Sequence, residues 1–262
     1  IMQIEGIFPN EVSLLSIFKA CGITGAIDKG EQIFKETNGM GIIWKENNIL
    51  LRALVGMYVK CGALEKAHNL LQEFSIQDVA SWTALIAGYV EEGSNREALK
   101  CFEHMTDEGL SPDTATFVCL LNACSSTRAI EKGEQIHRDI VSRGLLGKDI
   151  MLGNAFVDMY VKCGMLAQAQ EVVEYLPFRD IVSWNTLITG YGKYNRGHDV
   201  LKYFEKMQLA GVKPDAITFT CSLKACGSTG SLEKGKDFHN EIVAKGFLKT
   251  NIALGNALVD MY

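Results

Sequence analysis

Between Val79 and Pro112 the apolar residues fall into two stretches of helical spacing. Trp82, Leu85, Ile86 and Tyr89 stand at i, i+3, i+4 and i+7, which puts them on one face of an α-helix. Gly93-Ser94-Asn95 interrupts the pattern. Ala98, Leu99, Phe102 and Met105 then mark a second amphipathic face. Gly109 and Pro112 end it, the glycine because it takes left-handed backbone freely and the proline because it breaks a helix. Residues 181–215 repeat the design with Trp184, Leu187, Ile188 and Tyr191, then Val200, Leu201, Phe204 and Met207, then Gly211 and Pro214.

This recurrence runs through the chain. Ser81-Trp82 returns as Ser183-Trp184, 102 residues on, and Cys61-Gly62 returns at the same offset as Cys163-Gly164. Met57-Tyr58 returns as Met159-Tyr160 and Met261-Tyr262, and Ala123-Cys124 as Ala225-Cys226. Each stretch of 102 residues divides into three helix-turn-helix units of 36, 31 and 35 residues. The pattern predicts seven full units, 11–47, 48–78, 79–113, 114–149, 150–180, 181–215 and 216–251, with part-units at 1–10 and 252–262. One extra residue in the first unit falls within 39–48. The chain reads as a segment cut from a longer array, since neither Ile1 nor Tyr262 lies at an end with caps of its own. Helix pairs of this size cannot bury a face alone, and stacking them gives an all-α solenoid.

Composition agrees. Only 4 of 262 residues are proline and 25 are glycine, which suits helices closed by glycine caps at short intervals. No apolar run approaches the roughly 18 residues of a membrane span. The net charge of −5 argues against a nucleic-acid partner unless the positive charge is concentrated on one face.

Cycling units of 35, 36 and 31 residues resemble the P, L and S repeats of plant-type pentatricopeptide proteins. Ser183-Trp184-Asn185-Thr186-Leu187-Ile188 resembles the P-type opening, and Lys132-Gly133-Glu134-Gln135-Ile136-His137 the L-type second helix. Asn154-Ala155-Phe156-Val157-Asp158-Met159-Tyr160 with Lys162-Cys163-Gly164 resembles the S-type signature. The nearest rival is the tetratricopeptide repeat, a scaffold that binds protein partners. Its constant 34-residue length and its small residue at the place of Ile86 and Ile188 oppose it.

The resemblance implies a right-handed α-solenoid that binds single-stranded RNA, one base per unit. The fifth and last residues of a unit would specify the base and the second would pack on it. Carried onto this chain, the specifying pairs are Thr83 with Asp113, Asn154 with Asp180, Asn185 with Asp215, and Thr220 with Asn251. The packing residues are Ala80, Met151, Val182 and Ile217. By that resemblance Thr with Asp reads guanine, Asn with Asp reads uracil, and Thr with Asn reads adenine. Leu15 with Asn47, Arg52 with Asp78, and Val118 with Asp149 receive no assignment. Lys60, Lys162 and Lys193, the thirteenth residues of three units, would meet phosphate, while acidic residues such as Glu131, Glu171, Glu205 and Glu233 fall on second helices.

The resemblance further implies a specificity module for RNA processing in a mitochondrion or chloroplast, most often C-to-U editing, with other processing factors as partners. A deaminase domain of the DYW type would lie beyond these residues. No catalysis, cofactor, metal or membrane contact is expected within them. Seven of the eight cysteines recur at repeat-equivalent sites and none forms a Cys-x-x-Cys pair, so they read as small core residues. His239-Asn240-Glu241 matches half of a zinc deaminase signature, but the Pro-Cys-x-x-Cys half is missing.

Overall fold

The computed structural model describes residues 9–38, 47–74, 76–249 and 251–262, and among these there are helices and turns but no strand. The helices come in pairs: α1 (Glu11–Thr24) with α2 (Ile27–Asn38), α3 (Asn48–Lys60) with α4 (Leu64–Glu73), and α5 (Val79–Glu91) with α6 (Asn95–Asp107). Then come α7 (Thr114–Thr127) with α8 (Ile130–Ser142), α9 (Ile150–Lys162) with α10 (Leu166–Tyr175), and α11 (Ile181–Lys193) with α12 (Gly197–Leu209). The series closes with α13 (Ala216–Thr229), α14 (Leu232–Ala244) and α15 (Ile252–Met261). The part-unit 1–10 and the extra residue expected within 39–48 lie almost wholly outside the described residues.

The start of each pair is written into the local sequence. Asn10, Asn47, Asp78, Asp113, Asp149, Asp180, Asp215 and Asn251 each stand one residue before a first helix. The side chain of each accepts a backbone N–H of that helix, as Asp180 does from Ser183 N at 2.8 Å and Asn251 from Leu254 N at 3.1 Å. Such a cap contributes about 1 kcal/mol. Six of the second helices, α4, α6, α8, α10, α12 and α14, have no side-chain cap bond. The polar start signal therefore marks unit boundaries and not the turns inside units.

The chain forms two compact bodies, residues 1–123 and 124–262. In the first, α3 packs against α1, α4 and α5, and α5 packs on α6. Leu14, Phe18, Leu51, Leu54, Trp82, Leu85 and Ile86 fill its core. In the second, α9, α11, α13 and α15 pack in succession, each first helix also resting on its own or a neighbouring second helix. Phe204, Phe219 and Phe238 meet there with ring centroids 4.5–6.1 Å apart. First helices approach closely enough to require glycine: a Cβ on Gly190 would lie 2.7 Å from Val161 Cγ1.

Trp82 and Trp184 are buried, as their periodicity predicts. The second face of unit 79–113 differs in one residue. Leu99 is only half-buried, whereas Cys101 is fully buried at the place held by Tyr203 in unit 181–215. Tyr203 stacks on Tyr191 at 5.3 Å and its hydroxyl reaches Glu174. Contact with the neighbouring helices, not spacing along α6, selects the buried side chain there.

Candidate RNA interface

In units 150–180 and 181–215 the fifth and last residues lie 26 and 30 positions apart in sequence, yet the fold brings them together. Asn154 Nδ2 donates to Asp180 Oδ1 at 3.2 Å, and Asn185 Nδ2 donates to Asp215 Oδ2 at 3.0 Å. In the first body, Arg52 forms an ion pair with Asp78 at 2.7 Å. The cause is the cap: the last residue is fixed at the N-terminus of the next first helix, and that helix packs beside the one carrying the fifth residue.

A hydroxyl completes each cluster. Thr218 Oγ1 donates to Asn185 Oδ1 (2.6 Å) and lies 2.9 Å from Asp215 Oδ1. Ser183 Oγ lies 2.5 Å from Asn154 Oδ1 and 3.0 Å from Asp180 Oδ1. With the hydroxyl on the amide oxygen, the amide nitrogen is turned toward the carboxylate. In unit 79–113 the link is indirect: Thr83 Oγ1 sits 2.6 Å from Thr116 Oγ1, which donates to Asp113 Oδ1 at 2.7 Å. Thr220 and Asn251 are not hydrogen-bonded to each other. The Thr220 hydroxyl donates to Ala216 O, and Asn251 accepts from Leu254 N.

These hydroxyls, on Ser81, Thr116, Ser183 and Thr218, are buried and were missed in reading the sequence. The available signal was an Asp followed three residues later by Ser or Thr, a capping pattern that recurs with the units. Burial works to raise the Asp180 pKa. Hydrogen bonds from the Ser183 N–H and hydroxyl, the Asn154 amide and the Val182 N–H outweigh it, and the carboxyl titrates below its ordinary value.

Beside each cluster the second residue of the unit is exposed. Met151 is 66% exposed, Val182 51% and Ile217 56%, and the smaller Ala80 is exposed too. Val12, Ile49 and Ala253 occupy the same place in their units and are also exposed. Apolar side chains held in water at one register, next to half-buried polar pairs, form a surface on which a flat ring can stack.

Lys60, Lys162 and Lys193 are exposed in the last turns of α3, α9 and α11. Lys162 is paired with Asp158 at 2.7 Å. Several acidic side chains of second helices are tied to lysines of neighbouring units: Glu31 to Lys66, Glu174 to Lys206 and Glu205 to Lys234. Burial pushes the Cys101 and Cys124 thiols up to about 12, so neither is a ready nucleophile. His239 and its equivalent His137 bond to Tyr262 and Tyr160. Among the described residues no cluster of His, Cys, Asp and Glu could hold a metal, and no helix is long and apolar enough to cross a membrane.

Residues 77–126 and 179–228 match the PPR repeat family, at starts again 102 residues apart. Pentatricopeptide repeat-containing protein At4g38010 of Arabidopsis thaliana is 35% identical over 98% of this chain, which covers 45% of that protein. Protein At2g33680 of the same plant is 34% identical over 90% of this chain, which covers 32% of it. The chain is an array of pentatricopeptide repeats.

The array spans roughly a third to under a half of these relatives. Other pentatricopeptide relatives at 32% identity are named as chloroplastic or mitochondrial. Its fold is that of helical-repeat solenoids. The crystal structure of pentatricopeptide repeat protein PPR10 from maize aligns over 100% of this chain and 43% of its own length, with a TM-score of 0.63 at 19% identity. PPR10 in complex with an 18-nt psaJ RNA element aligns over 99% of this chain and 37% of its own, with a TM-score of 0.59 at 19% identity.

Proposed function

We propose that the array binds single-stranded RNA in a sequence-specific manner, one base per unit, through the fifth and last residues of each unit. It serves as the specificity module of an organelle RNA-processing factor of the P-L-S type, with C-to-U editing as the step it directs. The observation that carries the reading is the pairing of Asn154 with Asp180 and of Asn185 with Asp215, each beside an exposed apolar second residue.

The chemistry suits the bases. Once the Asn185 amide has given one N–H to Asp215 and taken a hydroxyl, it keeps one N–H and one lone pair. That donor and acceptor match the carbonyl and ring N–H of uracil. Where threonine takes the fifth place, the amide is gone and Asp113 keeps an oxygen that no side chain of its cluster occupies. Guanine offers that carboxylate two N–H groups. The RNA bound by PPR10 and the chloroplastic and mitochondrial names of relatives support the ligand and the compartment.

The test is titration with RNAs bearing G-N-U-U-A in the order of units 79–113 to 216–251, made in both polarities, at stated salt. One polarity should bind more tightly than a scrambled sequence, by about 1–3 kcal/mol for each well-matched base. Equal binding to the scrambled RNA defeats base reading. Absence of RNA binding leaves a scaffold for a protein partner.

A further inference from the structure

Three places of equal register close the first helices of units 11–47, 114–149 and 216–251. Two hold left-handed glycines, Gly25 (φ 70°) and Gly230 (φ 68°), and the third holds Arg128 at φ 54°. Left-handed backbone is free for glycine and unfavourable for a residue with a Cβ. Arginine therefore sits where the backbone favours having no side chain.

Its surroundings give it a use. Arg128 lines a hollow of about 370 Å³ with Lys162, Lys193, Ser125, Ser126 and Tyr194. Asp158 pairs with Lys162, but among the described residues neither Arg128 nor Lys193 has an ion pair. The hollow thus carries an excess of positive charge in a chain whose net charge is −5. Units 48–78, 150–180 and 181–215 have lysine at their thirteenth residue, whereas unit 114–149 has Ser126 there and Arg128 two residues later.

We infer that Arg128 supplies the phosphate-binding cation that unit 114–149 lacks, and that with Lys162 and Lys193 it holds a phosphodiester of the RNA backbone in this hollow. The inference rests on the RNA-binding reading above. Guanidinium is suited to the role because its planar donors meet two phosphate oxygens at once.

The test uses Arg128→Gly and Arg128→Met. Glycine relaxes the backbone, so Arg128→Gly should melt at a higher temperature than the wild type yet bind RNA several-fold more weakly. Its plot of log affinity against log salt should be shallower by about 0.7, the share of one phosphate contact on a single strand. Arg128→Met keeps the Cβ and stem without the charge, and should show the same loss of affinity and slope without the gain in stability. Wild-type affinity and slope in both variants would overturn the inference while leaving RNA binding intact. A wild type that binds no RNA would overturn the functional reading, and this inference with it. Inorganic phosphate is titrated separately. Saturable phosphate binding that depends on Arg128, with an unchanged RNA salt slope, would assign the hollow to a free anion and overturn the backbone contact.

Discussion

Replacing Asn185 by threonine recreates, within unit 181–215, the pair that unit 79–113 already has. The two units share their length, their tryptophan and their terminal aspartate. The change removes the bond from Asn185 Nδ2 to Asp215 Oδ2 at 3.0 Å and replaces the amide oxygen that accepts from Thr218 by a hydroxyl, the arrangement in which Thr83 meets Thr116. It leaves the cap bonds from Thr218 to Asp215 in place. A hydrogen bond to a charged group contributes about 1.5–3 kcal/mol when buried, and this one is half-exposed, so about 1 kcal/mol of stability should go. That is roughly 2–4 °C in melting temperature for a chain of this size. Val182 and Ile217 are untouched, so stacking of about 1–3 kcal/mol per base should survive. The hydrogen-bond contribution should move: uracil loses its amide partner and guanine gains the freed carboxylate oxygen. A good contact discriminates by about 1–3 kcal/mol, which is roughly 5-fold to 150-fold in affinity. The assay is four titrations, wild type and N185T against RNAs that differ only in uracil or guanine at this unit, with a thermal melt as control. A wild type without uracil preference, or a mutant that keeps it, refutes the reasoning.

Three further outcomes are expected. Gly190→Ala drives a Cβ to 2.7 Å from Val161 Cγ1, a stiff branched side chain, and should destabilise the protein by about 1–3 kcal/mol in urea titration; a cost near zero would mean that α9 and α11 separate freely. The Asp180 carboxyl is held below its ordinary pKa, so its contribution is present above about pH 4 and is lost as pH falls through the folded value. The stability gap between wild type and Asp180→Asn should therefore be constant near neutrality and narrow in acid, and a gap independent of pH would disprove the coupling. Changing Lys60, Lys162 and Lys193 together to alanine should lower the RNA salt slope by roughly 1–2 and leave base preference unaltered, because phosphate is the same in every nucleotide; a slope equal to that of the wild type would put these lysines in bulk solvent.

The helices and their boundaries were legible because their causes are local. The spacing of Trp82, Leu85, Ile86 and Tyr89 needs only one helix to be read, and a cap such as Asp180 acts on N–H groups two and three residues away. Exact repetition of these signals every 102 residues then determined the repeat and, through it, the all-helical class. The fifth and last residues could be named only because the family resemblance pointed to them. No local rule joins Asn154 to a carboxylate 26 residues on.

Only the tertiary structure decided how those groups meet. It put the hydroxyls of Ser183 and Thr218 against the amides of Asn154 and Asn185, so that residues of the capping motif also orient the side chains proposed to read the base. It showed that Thr220 and Asn251 turn to their own backbones, although their sequence register matches that of the bonded pairs. It buried Cys101 in preference to Leu99 and set Arg128 among lysines from other units. Periodicity tells which side of one helix avoids water. Which atoms share the space between helices depends on how closely neighbouring units pack, and that distance is set by side chains far apart in the chain.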